Sequence, residues 1–397
     1  MELYKEIKLR PKKDESLKRF HPWVFSGAIA YKPDNMTEGE IVRVLASDGT
    51  FLGIGHYQIG SIAVRILSFE DERIDVSFYE KRIAEAYKMR VDINLVRTDN
   101  NTYRLIHGEG DNLPGLIIDM YANTAVVQAH SIGIHKDLTL ITDALKKVLP
   151  DNVLQNIYYK SQSTLPYKAD IEPEDAYISG GKNASETALE NDLKFHIDWL
   201  KGQKTGFFVD QRENRKLLEY YAKNRNVLNM FCYTGGFSVY ALRGGAAQVD
   251  SVDSSAKAMM ITEQNVQINF ENNVRHSSYT EDAFKFLKES AYGKYDLIVL
   301  DPPAFAKHRG AINNALQGYK KLNLSAFEKI KSGDILFTFS CSQVISKEQF
   351  RLAVFSAAAI SGRKVRILHQ LTQPADHPVN IYHPEGEYLK GLVLYVE

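Results

Sequence analysis

The fold follows from the stretch NVLNMFCYTGGFSVYALRGGAAQVDSVDSSAKAM at residues 226–259. Its hydrophobic pattern predicts a strand at Asn226–Phe231, a helix at Gly236–Arg243 after a glycine turn, and a second strand at Gln248–Val252. Another helix is predicted at Ala256–Asn269. Strands that alternate with helices are joined by right-handed crossovers and form a parallel sheet. This stretch therefore predicts a doubly wound α/β fold.

The same alternation continues on both sides of this stretch. The further predicted elements are helix Asp210–Tyr221, helix Glu281–Leu287, strand Tyr295–Leu300, helix Asn313–Lys331, strand Asp334–Ser340 and helix Lys347–Ser361. Strands near Val365–Leu371 and Tyr388–Val396 are expected to add an antiparallel edge. Residues 191–397 are therefore predicted to form one domain, a sheet covered by helices on both faces.

The first half of the chain has a different hydrophobic pattern. Residues 1–72 contain short apolar runs between glycines, such as Ile41–Leu45 and Ile62–Phe69, which predict a small β-barrel. Residues 73–190 are predicted to form an α+β middle domain. Its expected elements are helix Asp75–Arg97, strands Gly115–Tyr121 and Thr124–Ala129, helix Lys136–Val148 and strand Asn156–Lys160. The polar stretch 161–190 is expected to be an exposed connection or the edge of a lobe.

Composition narrows the classes of protein that fit this chain. At 397 residues, with 44% hydrophobic and 25% charged residues, it has the make-up of a globular protein of two or three domains. No apolar stretch approaches the roughly 18 residues that span a bilayer, and the charged N-terminus does not resemble a signal peptide. Two cysteines are too few for a disulfide framework or a cysteine-rich zinc site. We expect a cytoplasmic protein without a metal.

Charge is balanced overall but is unevenly distributed. Lys plus Arg equals Asp plus Glu at 49 each. Basic residues nevertheless cluster at 5–19 and 201–216. These clusters predict either a basic face that binds nucleic acid or two ordinary solvated surfaces, and charge alone does not separate the two.

Ligands of doubly wound sheets bind beyond the carboxyl ends of the strands. Four predicted ends carry suitable residues: the turn at Cys232–Gly236, Asp253, Asp282 and Asp301. Two glycines let a ligand approach the backbone, although tight helix packing explains them equally well. A carboxylate about 20 residues after the turn suits the hydroxyls of a ribose, and the one at the third strand suits an adenine amino group. Capping of the following helix is the alternative for both.

The nucleotide motifs that are missing are also informative. The turn lacks G-x-G-x-x-G, and the chain contains no G-x-x-x-x-G-K-[ST], so neither a dinucleotide fingerprint nor a phosphate-binding P-loop is present. Carboxylates for ribose and adenine without a pyrophosphate site favour an adenosine ligand that has no phosphates. S-adenosylmethionine (SAM) is the cofactor that this combination predicts.

Five segments resemble the motifs of class I methyltransferases. They are QKTGFFVDQRENR (203–215), NMFCYTGGFSVYAL (229–242), VDSVDSSAKAM (249–259), YDLIVLDPPAFAK (295–307) and FSCSQ (339–343). More narrowly they resemble the RlmI-type family, which methylates C5 of a cytosine in 23S ribosomal RNA. HGEGDNLPGLIIDMY (107–121) is similar to that family's middle domain, and residues 1–70 to its PUA-like RNA-binding domain. The resemblance covers nearly the whole chain.

The resemblance implies a set of cofactor-binding residues. They are Asn229, Phe231, Tyr233, Thr234, Gly235, Asp253, Ser254, Asp282, Asp301 and Pro302, together with Phe208, Asp210 and Arg212 from the segment before the first strand. Asn229 stands where class I methyltransferases often have an acidic residue. For Arg212, an ion pair with Asp210 or Glu213 is the alternative to ligand binding.

Methylation of cytosine C5 needs a nucleophile that first adds to C6, because C5 itself reacts poorly with an electrophile. Cys341 and Asp301 follow the predicted fifth and fourth strands, which the methyltransferase sheet places side by side, so both can reach one base. Cys341 is predicted to be the nucleophile and Asp301 to hydrogen-bond the pyrimidine. Cys232, inside the glycine turn, is expected to pack and to have no covalent role.

Substrate contacts are assigned to Pro303, Phe305 and Lys204. Phe305 is placed to stack on a base, with core packing as a nearly equal alternative. A lone histidine such as His377 is more often structural than catalytic, but no role for Asp376, His377 or Lys390 follows from the sequence.

Competing functions remain open at this stage. One is a methyltransferase acting on guanine N7 or another base, which needs no thiolate, and another is a non-catalytic RNA-binding factor of ribosome assembly. A homodimer is permitted by the sequence but not required.

Overall fold

The computed structural model describes residues 4–166, 171, 173–181, 184–271 and 275–397. The chain divides into two compact units. The first unit comprises residues 1–189, 197–209 and 375–386, and the second comprises residues 190–196, 210–374 and 387–397. The chain therefore returns to the first unit near its C-terminal end.

The first unit begins with a six-stranded sheet. Its strands are β1 (Lys5–Leu9), β2 (Trp23–Phe25), β3 (Ile29–Tyr31), β4 (Ile41–Leu45), β5 (Phe51–Tyr57) and β6 (Ile62–Ser68), with the short helix α1 (Glu15–Lys18). The strand order is β2-β6-β5-β4-β1-β3. Apolar side chains of alternating positions, such as Val42 and Val44, form its core. This is the small β-domain that the glycine-punctuated runs predict.

A five-stranded sheet follows in the same unit. Its strands are β7 (Thr102–His107), β8 (Leu116–Tyr121), β9 (Thr124–Ala129), β10 (Asn156–Tyr159) and β11 (Ala176–Ser179), and its helices are α2 (Val76–Asp92), α3 (Ile132–Lys136) and α4 (Leu138–Val148). The strand order is β11-β10-β9-β8-β7. Asp75 caps α2 by accepting hydrogen bonds from the amides of Ser77 and Phe78. The strands β12 (Thr187–Glu190) and β13 (Leu193–His196) form a two-stranded sheet.

The second unit is built on a seven-stranded sheet. Its strands are β14 (Asn226–Met230), β15 (Gln248–Asp253), β16 (His276–Thr280), β17 (Leu297–Leu300), β18 (Asp334–Ser340), β19 (Val365–Thr372) and β20 (Lys390–Val396). Its helices are α5 (Arg212–Tyr221), α6 (Gly236–Arg243), α7 (Ala256–Asn269), α8 (Ala283–Glu289), α9 (Ile312–Lys329) and α10 (Lys347–Ser361). The strand order is β16-β15-β14-β17-β18-β20-β19, and only the pairings of β20 are antiparallel.

Packing of the helices on both faces explains the wholly apolar sequence of the central strand β17. Helices α5, α6 and α7 form one group and α8, α9 and α10 another, and both groups contact the sheet. Every residue of β17 is fully buried, as expected for a strand covered on both faces. The predicted doubly wound α/β architecture is confirmed.

Several boundaries differ from those predicted. The stretch 161–190 is not only a connection, because it contains β11 and β12. Helix α2 ends at Asp92, five residues before the predicted end. Strands β1, β2, β3, β5, β7 and β13 were not predicted individually. The antiparallel strand β20 is internal, and β19 forms the edge. Among the described residues, no helix is both long and apolar enough to cross a membrane.

Candidate functional site

The order of strands in the second unit reverses between β14 and β17. From β14 the chain moves outward to β15 and β16, and from β17 it moves outward the other way to β18. Crossover loops therefore leave in opposite directions at this point and open a crevice above the carboxyl ends. The predicted residues that follow β14, β15, β17 and β18 all lie at this end of the sheet.

The glycine turn after β14 is a tightly constrained segment. Phe231, Tyr233 and Gly235 all have positive φ angles, of 58°, 48° and 78°. A Cβ on Gly235 would lie 2.6 Å from Cγ2 of Thr262, so no larger residue fits there. The hydroxyl of Thr262 donates to the carbonyl of Tyr233 at 2.9 Å. Helix α7 thus holds the turn in a conformation that presents its backbone and the start of α6.

Asp253 is linked directly to this turn. Its Oδ2 accepts a hydrogen bond from the amide of Tyr233 at 3.0 Å, and its Oδ1 accepts one from the amide of Ser255 at 2.9 Å. Ser255, rather than Asp253, is the residue that caps α7, so the capping alternative for Asp253 is wrong. The half-buried carboxylate keeps lone pairs for further donors, such as the hydroxyls of a ribose. Ser254 beside it is exposed.

Two other predicted cofactor residues have structural partners. Asp282 caps α8, accepting from the amide of Lys285 at 2.9 Å, which is the alternative given for it above. Its contact with an adenine stays a prediction. Asn229 is buried in β14, where its Nδ2 donates to the hydroxyl of Ser238 at 2.8 Å. Its Oδ1 is buried without a hydrogen-bond partner among the described residues.

Asp301 is oriented by a residue that sequence reasoning missed. Nε2 of Gln211 donates to Oδ1 of Asp301 at 3.0 Å, and Nδ2 of Asn214 donates to Oε1 of Gln211 at 2.6 Å. Gln211 and Asn214 are both buried. Because Asn214 occupies the amide oxygen, the amide nitrogen of Gln211 must face Asp301. Glutamine has no chemical signature of its own, and only its place in the QKTGFFVDQRENR segment could have marked it.

Cys341 and Asp301 lie at the ends of neighbouring strands, as predicted. Leu300 of β17 pairs with Thr338 of β18 in parallel register. Beyond these strands, Sγ of Cys341 lies 3.9 Å from the carbonyl oxygen of Pro302. Cys341 is partly exposed, whereas Pro302 is buried and Pro303 is exposed. The thiol therefore lies against the Asp301-Pro302-Pro303 turn.

Tyr319 of α9 supports the segment that carries Cys341. Its hydroxyl lies 2.9 Å from the hydroxyl of Ser340 and 3.1 Å from that of Ser342. Its ring packs on Phe305, with 4.7 Å between ring centroids. Phe305 is thus half-buried against α9, in agreement with the core-packing alternative. Its stacking on a base stays a prediction.

The second cysteine has a different environment. Cys232 is buried in the glycine turn, and its Sγ lies 3.5 Å from Sδ of Met259. Burial, reinforced by the nearby carboxylate of Asp253, raises the pKa of the Cys232 thiol. A thiol in such a setting stays protonated and inert. This agrees with the packing role predicted for it.

The residues just before β14 belong to both units, with the boundary between Val209 and Asp210. Lys204 and Phe208 lie in the first unit, where Nζ of Lys204 is 5.2 Å from the centroid of the Phe208 ring. Asp210 and Arg212 lie in the second unit. Asp210 accepts from the hydroxyl of Tyr388 at 2.7 Å.

Arg212 changes the interpretation of the basic cluster at 201–216. It is buried, and its Nε lies 3.3 Å from a carboxylate oxygen of Glu213. Arg215 is buried too and makes a bidentate pair with Glu190, which raises the pKa of the guanidinium although burial alone would lower it. Neither arginine is a surface residue, so the prediction of a basic surface at 201–216 is wrong for both. Many basic residues of the 5–19 cluster are exposed.

Asp376 and His377 lie in the first unit and are buried. Oδ2 of Asp376 accepts from the amide of Arg104 at 2.9 Å, and Nδ1 of His377 lies 3.1 Å from Oδ1 of Asp376. Arg90 donates to the carbonyl of Asp376. These contacts fix the returning segment 375–386 to the first unit.

One cluster in the described part of the chain has the composition of a metal site. His21, His383 and Glu385 bring potential ligand atoms within 4.8 Å of one another. However, the amide of Trp23 donates to Nδ1 of His21, so the neutral ring carries its proton on Nε2, the atom that faces Glu385. A metal-binding histidine instead donates from its second nitrogen. We assign no metal role to this cluster.

The residues at the sheet crevice fit SAM. The turn offers backbone groups and a helix start, with a glycine where a Cβ would collide, and Asp253 offers a carboxylate. Asn229, Phe231, Tyr233, Thr234 and Gly235 are on or beneath that turn. A nucleoside without a phosphate chain suits this arrangement.

Comparisons with known proteins agree with this geometry. A sequence model of the family of S-adenosylmethionine-dependent methyltransferases matches residues 103–379, and a model of the PUA-like domain matches residues 7–69. The solved structures that resemble this one include a protein from Streptococcus mutans described as a SAM-dependent methyltransferase, with a TM-score of 0.83, 22% identity, and coverage of 98% of this chain and 99% of the other. A structure titled as a methyltransferase complexed with SAH has a TM-score of 0.84, 22% identity and the same coverage.

Fold and site together define a SAM-dependent methyltransferase that carries a PUA-like domain. Among curated relatives, ribosomal RNA large subunit methyltransferase I of Alteromonas mediterranea is 38% identical over 395 residues, covering 98% of each chain. The enzyme of the same name from Shewanella frigidimarina is 40% identical over 398 residues, covering 98% of this chain and 99% of its own. The chain belongs to the ribosomal RNA large subunit methyltransferase I family.

Proposed function

We propose that this protein transfers a methyl group from SAM to C5 of a cytosine in 23S ribosomal RNA, through a covalent adduct with Cys341. The observation that carries the proposal is the position of Cys341, whose partly exposed Sγ lies 3.9 Å from the Pro302 carbonyl in the Asp301-Pro302 turn. Methylation of guanine N7 needs no thiol at this position. The names of the relatives support large-subunit ribosomal RNA as the substrate, and on this basis we also propose a cytoplasmic location.

The first step of the proposed reaction activates the pyrimidine. The Cys341 thiolate adds to C6, forming a carbon–sulfur bond, and the electron pair of the C5=C6 bond is delocalised toward N3. A proton on Asp301 is shared with N3 as this charge develops. Gln211, which donates to Oδ1 of Asp301, orients this carboxyl group for that contact.

The second step forms the product. When bound, SAM supplies an electrophilic methyl group. C5, now nucleophilic, takes up that methyl group, and S-adenosylhomocysteine is the leaving group. A base then removes the C5 proton, the C6–sulfur bond breaks, and the electron pair returns to Cys341 as thiolate. The ring regains its double bond, and the proton on the pyrimidine returns to Asp301.

Binding of SAM is assigned to the residues around the glycine turn. Asp253 would accept from the ribose hydroxyls, since its carboxylate is already fixed by the amides of Tyr233 and Ser255. Gly235 allows the close approach, and Asp282 is proposed for the adenine. Phe208, Asp210 and Arg212 are proposed to complete the site, and Lys204, Pro303 and Phe305 to contact the RNA.

Nucleoside mass spectrometry tests the proposal. Unmodified ribosomal RNA is incubated with the protein and with SAM labelled in its methyl group, and the nucleosides are then analysed. We expect label in 5-methylcytidine, its loss in Cys341→Ala, and its retention in Cys232→Ala, the matched control. Label in 7-methylguanosine, or full activity of Cys341→Ala, would overturn the mechanism. Label in no nucleoside, with SAM still bound, would favour an assembly factor.

A further inference from the structure

Lys390 is a buried lysine at the first position of β20. It is 5% exposed and lies opposite Ser340 of the antiparallel neighbour β18. Its Nζ donates to the carbonyl of Ser342 and to the carbonyl of Ile345, each at 2.6 Å. Both carbonyls belong to the segment that directly follows Cys341. One ammonium group therefore ties together the short loop between β18 and α10.

A buried ammonium is a costly way to hold a loop. Removing a charge from water costs several kcal/mol unless it is paired, and two neutral carbonyls compensate only in part. Neutral donors such as asparagine or glutamine can bind the same carbonyls without that cost. The positive charge at this place therefore calls for an explanation beyond hydrogen bonding, and an anion nearby supplies one.

Cys341 provides that anion when its thiol ionises. The thiol and Lys390 are coupled electrostatically, and a thiolate at Cys341 favours the charged form of the lysine. The coupling is reciprocal, because a cation beside a thiol favours its thiolate by the same free energy. A cysteine that acts as a nucleophile must be in the thiolate form, and an ordinary thiol has a pKa near 8.5.

We propose that Lys390 is a positioning residue that fixes the segment 342–345 and stabilises the thiolate of Cys341 with its positive charge. The inference rests on the proposed covalent role of Cys341. It adds a fifth strand, β20, to a site otherwise built from β14, β15, β17 and β18. It also gives a function to the antiparallel strand, which brings a cation beside the end of a parallel strand.

Other charged groups near Lys390 largely cancel. Lys347 at the start of α10 and Glu387 before β20 both influence it, but they form an ion pair with each other at 2.7 Å and are half-exposed. Burial lowers the pKa of Lys390 to about 8, with the Cys341 thiolate opposing that shift. The ammonium is therefore present below this pH and is lost above it. We expect methyl transfer to fall as the pH rises past about 8.

The chain is well suited to a direct test, because it has only two cysteines and Cys232 is buried. Alkylation of the folded protein by iodoacetamide, followed from pH 5 to 10.5, reports the ionisation of Cys341, with Cys341→Ala as the blank. We expect Lys390→Met to raise the midpoint by about one pH unit, which is a tenfold slower reaction at low pH. The plateau at high pH should be unchanged. Lys390→Arg should stay close to the unmodified protein.

Lys347→Met is the matched control, since it removes a nearby charge that makes no contact with the loop carbonyls. Its midpoint should move by less than a third of a pH unit. If Lys390→Met leaves the midpoint unchanged, the electrostatic role is overturned. If it lowers the plateau instead, the loop has rearranged, the role is only structural and the thiolate part of the proposal fails.

Methyl transfer separates this inference from the proposed function. Lys390→Met should lower kcat about tenfold or more, leave the Kd for SAM unchanged, and shift the rising limb of the pH profile upward with the alkylation midpoint. The alkylation assay contains no RNA, so it is independent of which base is methylated. Full activity of Cys341→Ala together with a shifted alkylation midpoint in Lys390→Met would contradict the covalent mechanism but would still support the electrostatic interaction between Lys390 and the thiolate.

Discussion

Gln211 has no reactive group, but it donates a hydrogen bond to Asp301, the residue proposed to contact the pyrimidine. Its amide oxygen is held by Asn214, and its amide nitrogen holds Asp301. This chain of hydrogen bonds fixes the direction in which the Gln211 amide meets Oδ1 of Asp301. The positions of Asp301 and Cys341 at neighbouring strand ends were predictable from sequence, because each directly follows a predicted strand, whereas their catalytic roles stay predictions. Gln211 was not, since its role depends on a contact across 90 residues.

Removal of the Gln211 amide should impair catalysis more than cofactor binding. A hydrogen bond to a charged group is worth about 1.5–3 kcal/mol, so Gln211→Ala is expected to lower kcat roughly 10- to 150-fold. The Kd for SAM should change less than threefold. Asn214→Ala, which only frees the orientation of the amide, should have a smaller effect. Gln264→Ala, on the exposed side of α7, is the control; activity of Gln211→Ala within twofold of that control would contradict the role.

At the scale of elements, the glycine turn and α7 act as one unit. Gly235 has a positive φ, and a Cβ there would overlap Cγ2 of Thr262. Gly245 is its natural control, because it also has a positive φ but its nearest obstacle is 3.8 Å away. Substitution of the two glycines therefore separates backbone strain from steric overlap.

We expect Gly245→Ala to lower the free energy of unfolding by about 1–2 kcal/mol through strain alone. Gly235→Ala adds overpacking, which costs about 1–3 kcal/mol more, and should weaken SAM binding at least tenfold. Thermal unfolding and calorimetric titration with SAM measure the two effects. Thr262→Ser removes the obstructing methyl group and should restore part of both losses in the double variant. Unimpaired SAM binding by Gly235→Ala would show that the turn does not contact the cofactor.

Prediction of the elements from sequence succeeded where strands alternate with helices. Helix α6, helix α7, strand β18 and helix α10 have the predicted bounds, because long apolar periodicity and capping residues determine them locally. Strands β7, β11 and β12 were missed. β11 pairs with β10 through an irregular register within a polar stretch, so its conformation depends on a partner strand rather than on its own composition.

At the scale of the molecule, the exposed cations of the 5–19 segment are the part of the basic surface that the structure retains. Lys8, Arg10, Lys12 and Lys13 are exposed on the first unit. The balanced net charge of the chain gives no hint of this asymmetry. If these residues contact RNA phosphates, binding must release counterions and weaken with salt.

We expect the affinity for a ribosomal RNA fragment to fall steeply between 50 and 200 mM salt, as measured by fluorescence anisotropy. Replacement of Lys8, Arg10, Lys12 and Lys13 by glutamine should reduce the slope of log K against log salt by up to about 3, at roughly 0.7 per phosphate contact. The single variant Lys146→Gln, exposed on the same unit, controls for a general loss of charge. SAM binding should be unaffected in all variants. An unchanged slope would remove this segment from the RNA surface.

The return of residues 375–386 to the first unit affects how the protein folds while the ribosome synthesises it. Asp376 accepts from the amide of Arg104, 272 residues earlier in the chain. At about 5–20 residues per second, a ribosome needs on the order of 14–54 s to synthesise that interval. Throughout this time Arg104 is already made and its partner does not exist. The first unit therefore lacks the contacts of residues 375–386 until nearly all of the second unit has been synthesised.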